Sequence, residues 1–469
     1  MYSASIVILG ILPPLLMFLF GGTRRWQSRL HPLIVLGWAL LLGYSLKSLY
    51  LAYAVEVGAP FRTDTLSYDI IPEGQIAICV GLIAFMIGYA LLARRPQFPE
   101  CQPETSYRIN ETGELVYHFV FGVSILLMIV YFYQMDFLTQ ILSQQFRAQK
   151  WYIDEEGERN SLGFLRIGGD FLVIYFLYYL TCAKKLTWLN RYTLAIAFIS
   201  VCYLLASSRN GVLAIIVFYL MVIGIRTSLW RGQSTVGRIA VVAAVLMLIG
   251  LTSLVRDGGR EGVSGGDLSV GGGVQATAID AFEGAYFLDP AKTAAIIDQT
   301  EQRDLYLRGQ SFTAIVFAPI PRLLWSNKPA IRIGPYVSGE VLRYDNNSGI
   351  PPGGIGELYL NFGWPGILFG MVIIGGIAQI TYRRYLESAD ERLSRPIYAI
   401  AIFVIMLFFM GDFASSILSL MRYMAAALIC TIFWKSQFAR DQEAGASRSS
   451  ETEFEPRSRD NRGEPAFRP

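Results

Sequence analysis

Apolar residues in this chain come in runs of about 15–26 residues, separated by short charged loops. No other sequence feature restricts the fold as much. A bilayer core offers no water to backbone N–H and C=O groups, so a run that crosses it must satisfy them within itself, as a helix does. The composition agrees. Hydrophobic residues make up 53% of the 469, charged residues only 16%, and the mean hydropathy is +0.40. A water-soluble domain carries roughly a quarter charged residues. The runs lie at about 4–20, 32–54, 76–93, 115–133, 165–183, 190–207, 212–226, 238–255, 357–382, 396–411 and 416–434. The expected fold is therefore an all-α polytopic membrane protein of about eleven transmembrane helices.

Lys and Arg set the orientation. One set of loops holds Arg24, Arg25 and Arg29; Arg94, Arg95 and Arg108; Lys184, Lys185 and Arg191; Arg226, Arg231 and Arg238; and Arg383, Arg384, Arg392 and Arg395. The opposite short loops are poorer in them. The first set is expected to be cytoplasmic, with the N-terminus outside and the C-terminus inside. Residues 4–20 read as a retained span, since no basic stretch precedes them. The expected organisation is helices 1–8 in 1–255, a large external loop over 256–356, helices 9–11 in 357–434 and a disordered cytoplasmic tail over 435–469. The tail is too polar to bury a core. Within the loop, 256–273 is Gly-rich, and 274–300 has apolar positions at helical spacing. Residues 311–325, SFTAIVFAPIPRLLW, are apolar but broken by Pro319 and Pro321, as expected of a re-entrant or interfacial piece. The five cysteines show neither a disulfide framework nor metal-ligand spacing.

Ionisable residues inside spans are costly and mark candidate sites. Lys47, Asp170 and Arg422 lie within spans, and Arg209 and Asp412 lie at helix ends. All five map to the outer half of the bundle, which points to a polar cavity open to the outside. The outer side is also rich in arginine: Arg209, Arg256, Arg260, Arg322 and Arg343 are candidates for holding a phosphate or pyrophosphate. The guanidinium fork suits such anions. For Arg303, Arg308 and Arg332, ordinary solvation in a loop is the better reading. The two histidines, His31 and His118, lie at the cytoplasmic ends of their runs. An external proton transfer must therefore rely on a carboxylate or tyrosine. Glu357, at the start of the ninth run, is the foremost carboxylate, with Asp412 second. There is no dinucleotide fingerprint, no phosphate-cradling Gly-Lys-Ser/Thr loop and no metal-ligand cluster, and basic residues are too scattered for a nucleic-acid partner.

Residues 320–329, IPRLLWSNKP, and 349–363, GIPPGGIGELYLNFG, together with the turn 208–211, SRNG, resemble the Wzy-type O-antigen polymerases, also called oligosaccharide repeat unit polymerases. Arg260…Gly271 and Arg343…Gly354 repeat the Arg-x10-Gly spacing of some members, although both pairs fall in one loop here. The resemblance implies a fold like that of GT-C-type membrane glycosyltransferases. It implies a bacterial inner-membrane enzyme making O-antigen, capsule or exopolysaccharide, with the large loop in the periplasm. The growing glycan, carried on undecaprenyl pyrophosphate, would be passed to a new lipid-linked repeat unit. It also implies no nucleotide sugar, no metal and no other cofactor. The implied partners are a flippase that delivers units and a chain-length regulator. In such a reaction Arg209, Arg256, Arg260, Arg322, Arg343, Arg422 and Lys47 would bind pyrophosphate or glycan, and Glu357 or Asp412 would act on protons.

Two other activities would suit this topology. An O-antigen ligase is expected to use a His in the large loop, where this chain has none. A lipid-linked oligosaccharide flippase or transporter should carry charges through the full depth of the bundle and have short loops. Neither pattern is seen in the sequence.

Overall fold

The structure, a computed structural model, describes residues 2–23, 31–57, 68–93, 111–134, 167–182, 288–317, 320, 325, 333–343, 349–388 and 391–429. All regular structure among these residues is helical. We label the helices α1 (Tyr2–Thr23), α2 (Pro32–Val57), α3 (Ile71–Leu91), α4 (Glu111–Gln134), α5 (Ile167–Cys182), α6 (Pro290–Arg303), α7 (Gln310–Phe317), α8 (Gly354–Glu387), α9 (Glu391–Met410) and α10 (Phe413–Ile429). Among the described residues, four helical segments are long and apolar enough to cross a membrane: Ser3–Gly21, Pro32–Val57, Tyr68–Leu91 and Gly354–Glu387. Shorter apolar helices run over His118–Tyr133, Ser394–Met410 and Phe413–Ile429. The expected runs 190–207, 212–226 and 238–255, the Gly-rich stretch 256–273 and the tail 435–469 lie outside the described residues.

Helix α8 is the spine. It packs along α3, and α1, α2, α6 and α9 gather around this pair. Outward-facing positions on α8 stay apolar, with Phe369, Ile373 and Ile377 all more than half exposed. Such a surface suits contact with lipid and would be a liability in water. At the C-terminal end of α8, His31, just before α2, pairs its Nε2 with the Tyr89 hydroxyl at 3.0 Å. The His31 ring also meets Tyr382 edge-on, and Tyr385 stacks on Tyr398 of α9. This aromatic cluster clamps four helices at the end opposite Glu357.

Near its start α8 is broken. Gly363 has φ 64 and ψ −151, with Pro365 just beyond. Proline removes a donor and clashes with the preceding turn, and the Gly363 conformation is open essentially to glycine alone. The loop between α6 and α7 covers the break. The Leu307 N–H donates to the Leu360 carbonyl at 2.9 Å, and Tyr306 lies against Gly363. Irregular backbone at this depth persists because the loop supplies these partners. Gly363→Ala should therefore cost about 1–3 kcal/mol, read as a lower thermal midpoint in detergent.

Candidate functional site

Three helices begin at one place: α7 at Gln310, α8 at Gly354 and α10 at Phe413. Each helix start leaves N–H groups without partners in its own helix and carries partial positive charge. The Glu357 side chain lies among them. Its placement is local in origin, because the run Pro351-Pro352-Gly353-Gly354 stops any earlier helix and sets Glu357 in the first turn of α8. Gly353 takes a positive φ of 75, and its N–H donates to the Gly411 carbonyl at 2.8 Å. That bond draws the start of α8 onto the turn between α9 and α10.

Glu357 is 1% exposed. Ser311 Oγ donates to its Oε1 at 2.7 Å, and the Phe413 N–H donates to its Oε2 at 2.6 Å. Asn361, one turn along α8, donates from Nδ2 to Ser311 Oγ and to the Glu357 carbonyl, both at 2.8 Å. The Gly309 N–H donates to Asn361 Oδ1 at 3.0 Å. Each carboxylate oxygen thus holds one donor and keeps further acceptor capacity, and Ser311 Oγ keeps one of its two lone pairs. Ser311 is only half-buried, so its hydroxyl links the sealed carboxylate toward the surface. Phe312, the next residue, stacks on Phe362 at 5.9 Å and meets Phe413 edge-on.

Asp412, the other candidate for proton transfer, is occupied as a helix cap. Its Oδ1 accepts the Ser415 N–H at 2.7 Å, and its Oδ2 accepts the Ser415 hydroxyl at 2.9 Å. That role places Phe413, and through it Glu357. Asp412→Ala should cost about 0.5–2 kcal/mol, measured by thermal unfolding, with turnover falling far less than on loss of Glu357.

The charges that the sequence places within apolar runs, Lys47, Asp170 and Arg422, are paired. Arg422 of α10 lies 3.2 Å, Nε to Oδ2, from Asp170 of α5. Lys47 of α2 lies 2.8 Å from Asp289 Oδ2. Asp289 is the N-cap of α6, and its Oδ1 accepts the Ala291 and Lys292 N–H groups. Burial raises the Asp289 carboxyl, but Lys47 and Lys292 beside it outweigh this and hold it below the usual range. Burial pushes the Lys292 ammonium down to about 8, even with Asp289 opposing. Arg343 is exposed with a φ of 51, at the end of the helical turn Val337–Val341. Arg209, Arg256, Arg260 and Arg322 lie outside the described residues. Among the described residues, no group of three or more His, Cys, Asp or Glu side chains is placed to hold a metal.

Sequence reasoning singled out Glu357, Asp412, Asp170, Arg422 and Lys47. It missed Ser311, Asn361, Asp289 and Lys292. The Pro290 that follows Asp289 was the available signal for a capped helix start.

A family model described as O-antigen polysaccharide polymerase Wzy matches residues 41–270. Over those residues, just under half of its length, the chain is similar to the Wzy-type family. Polymerisation of lipid-linked repeat units in a membrane is the activity that this family carries. The match takes in Lys47, Asp170, Arg209, Arg256 and Arg260. Glu357, Asp412 and Arg422 lie beyond it, so their assignment rests on geometry. No curated protein and no solved structure matches the chain.

Proposed function

We propose that this Wzy-type chain polymerises undecaprenyl-pyrophosphate-linked repeat units on the periplasmic face of a bacterial inner membrane, with Glu357 as general base. Its N-terminus faces the periplasm and its C-terminus the cytoplasm. The buried Glu357, reached through Ser311, carries the reading. A hydroxyl of the incoming unit attacks the anomeric carbon of the growing glycan. The bond from that carbon to the lipid pyrophosphate breaks, and the pyrophosphate leaves as an anion. The hydroxyl proton passes to Ser311 Oγ as Ser311 gives its own proton to Glu357. Pyrophosphate needs no acid to leave. Arginines drawn from Arg209, Arg256, Arg260, Arg322 and Arg343 stabilise its charge. A flippase supplies units, and a chain-length regulator limits the product.

The test uses purified protein, synthetic lipid-pyrophosphate-linked units and no nucleotide sugar. A ladder of polymers on a gel is the expected result. Units that cross a proteoliposome membrane without being joined would sink the polymerase reading in favour of a flippase.

A further inference from the structure

Lys292 has no role in the chemistry above, yet it is an expensive residue to keep. It lies in the first turn of α6, 6% exposed, and its Nζ is buried without a hydrogen-bond partner. Among the described residues, Asp289 is the carboxylate that lies beside both ammonium groups. Asp289 Oδ2 accepts from Lys47 Nζ at 2.8 Å, and its Oδ1 accepts from the Ala291 and Lys292 N–H groups. Lys292 Nζ therefore has no hydrogen-bonded anion of its own, and the N-terminus of α6 adds positive potential beside it. A buried charge without a partner costs far more than a paired one. A bound anion would remove that cost.

We propose that Lys292, with Lys47 beside it, forms a binding site for a phosphoryl anion at the start of α6. In the polymerase reading, on which this rests, the anion is the pyrophosphate head group of the lipid carrier. Free pyrophosphate has the same chemistry. Lys292 supplies the unpaired ammonium, and Asp289 fixes Lys47 and the helix start around it. Lys47, a candidate ligand in its own right from the sequence, is here held by Asp289.

The experiment measures the thermal midpoint of the full chain in detergent. Inorganic pyrophosphate and farnesyl pyrophosphate are each titrated into wild type, Lys292→Met, Lys292→Gln and Lys292→Arg. The expected result is a rise of about 4 °C at a hundredfold excess over Kd in wild type. It should be lost in the Met and Gln variants and largely kept in Arg. A lysine-dependent rise with both probes assigns the free anion; a rise with farnesyl pyrophosphate alone assigns a lipid head group. No rise in wild type, or the same rise in the Met and Gln variants, overturns the proposal. A polymer ladder without a Lys292-dependent shift leaves the polymerase reading standing and this site refuted. A shift without a ladder does the reverse.

Discussion

Glu357→Gln is expected to slow polymer formation by about 10²–10⁴-fold, the range that a positioned general base supplies, while the thermal midpoint stays close to wild type. Glutamine has the same shape. Its Oε1 can still accept the Phe413 N–H, and its amide nitrogen can donate to the remaining lone pair of Ser311 Oγ. The network that joins α7, α8 and α10 is therefore kept. What is lost is the ability to take a proton. Ser311→Ala should be less severe, because a water at that position could relay the proton to the intact carboxylate. The measurement is the initial rate of ladder growth at saturating lipid-linked unit, beside thermal unfolding of the same samples. A glutamine variant that polymerises at the wild-type rate would reduce Glu357 to a structural tie among three helix starts.

Much of this arrangement was legible in the sequence, for a physical reason. A bilayer forces backbone bonding to be local, so the helices α1 to α5 and α8 to α10 fall on apolar runs that can be read directly. Glu357 could be read too, since Pro-Pro-Gly-Gly fixes a helix start immediately before it. Long-range pairing is not encoded that way. Asp289 is 242 residues from Lys47, and nothing local to either one names the other. Ser311 was read as the first residue of a broken interfacial run; only folding brings it 2.7 Å from Glu357. The break in α8 was signalled by Gly363-Trp364-Pro365, but the apolar content on both sides made one continuous run the simpler reading. Asp412 was found as a charged helix end. Its hydrogen bonds to Ser415, three residues on, make it a cap.

Gly88→Ala and Gly375→Ala should each cost about 1–3 kcal/mol, the usual penalty for forcing a methyl into a packed interior, and the pair should not simply add. The α3–α8 contact explains both expectations. Gly74, Gly81 and Gly88 repeat every seven residues and so share one face of α3. A Cβ at Gly88 would collide with the Val372 carbonyl of α8, and one at Gly375 would collide with the Phe85 carbonyl of α3. At Gly81 it would lie 3.1 Å from Ile355 Cδ1, two residues before Glu357. Small residues let backbones meet in a membrane, where helix association gains little from the hydrophobic effect and depends on close packing. Backbone atoms cannot rotate aside as a side chain can, so the helices must part. Either substitution acts on the same shared gap, hence the expected coupling in a double-mutant cycle. Gly122→Ala in α4 is the control. A Cβ there meets nothing within 4 Å, so it should gain up to about 1 kcal/mol of helix propensity. Thermal unfolding of the four variants decides the matter: midpoints for Gly88→Ala and Gly375→Ala equal to that of Gly122→Ala would mean that the α3–α8 contact does not hold the bundle together.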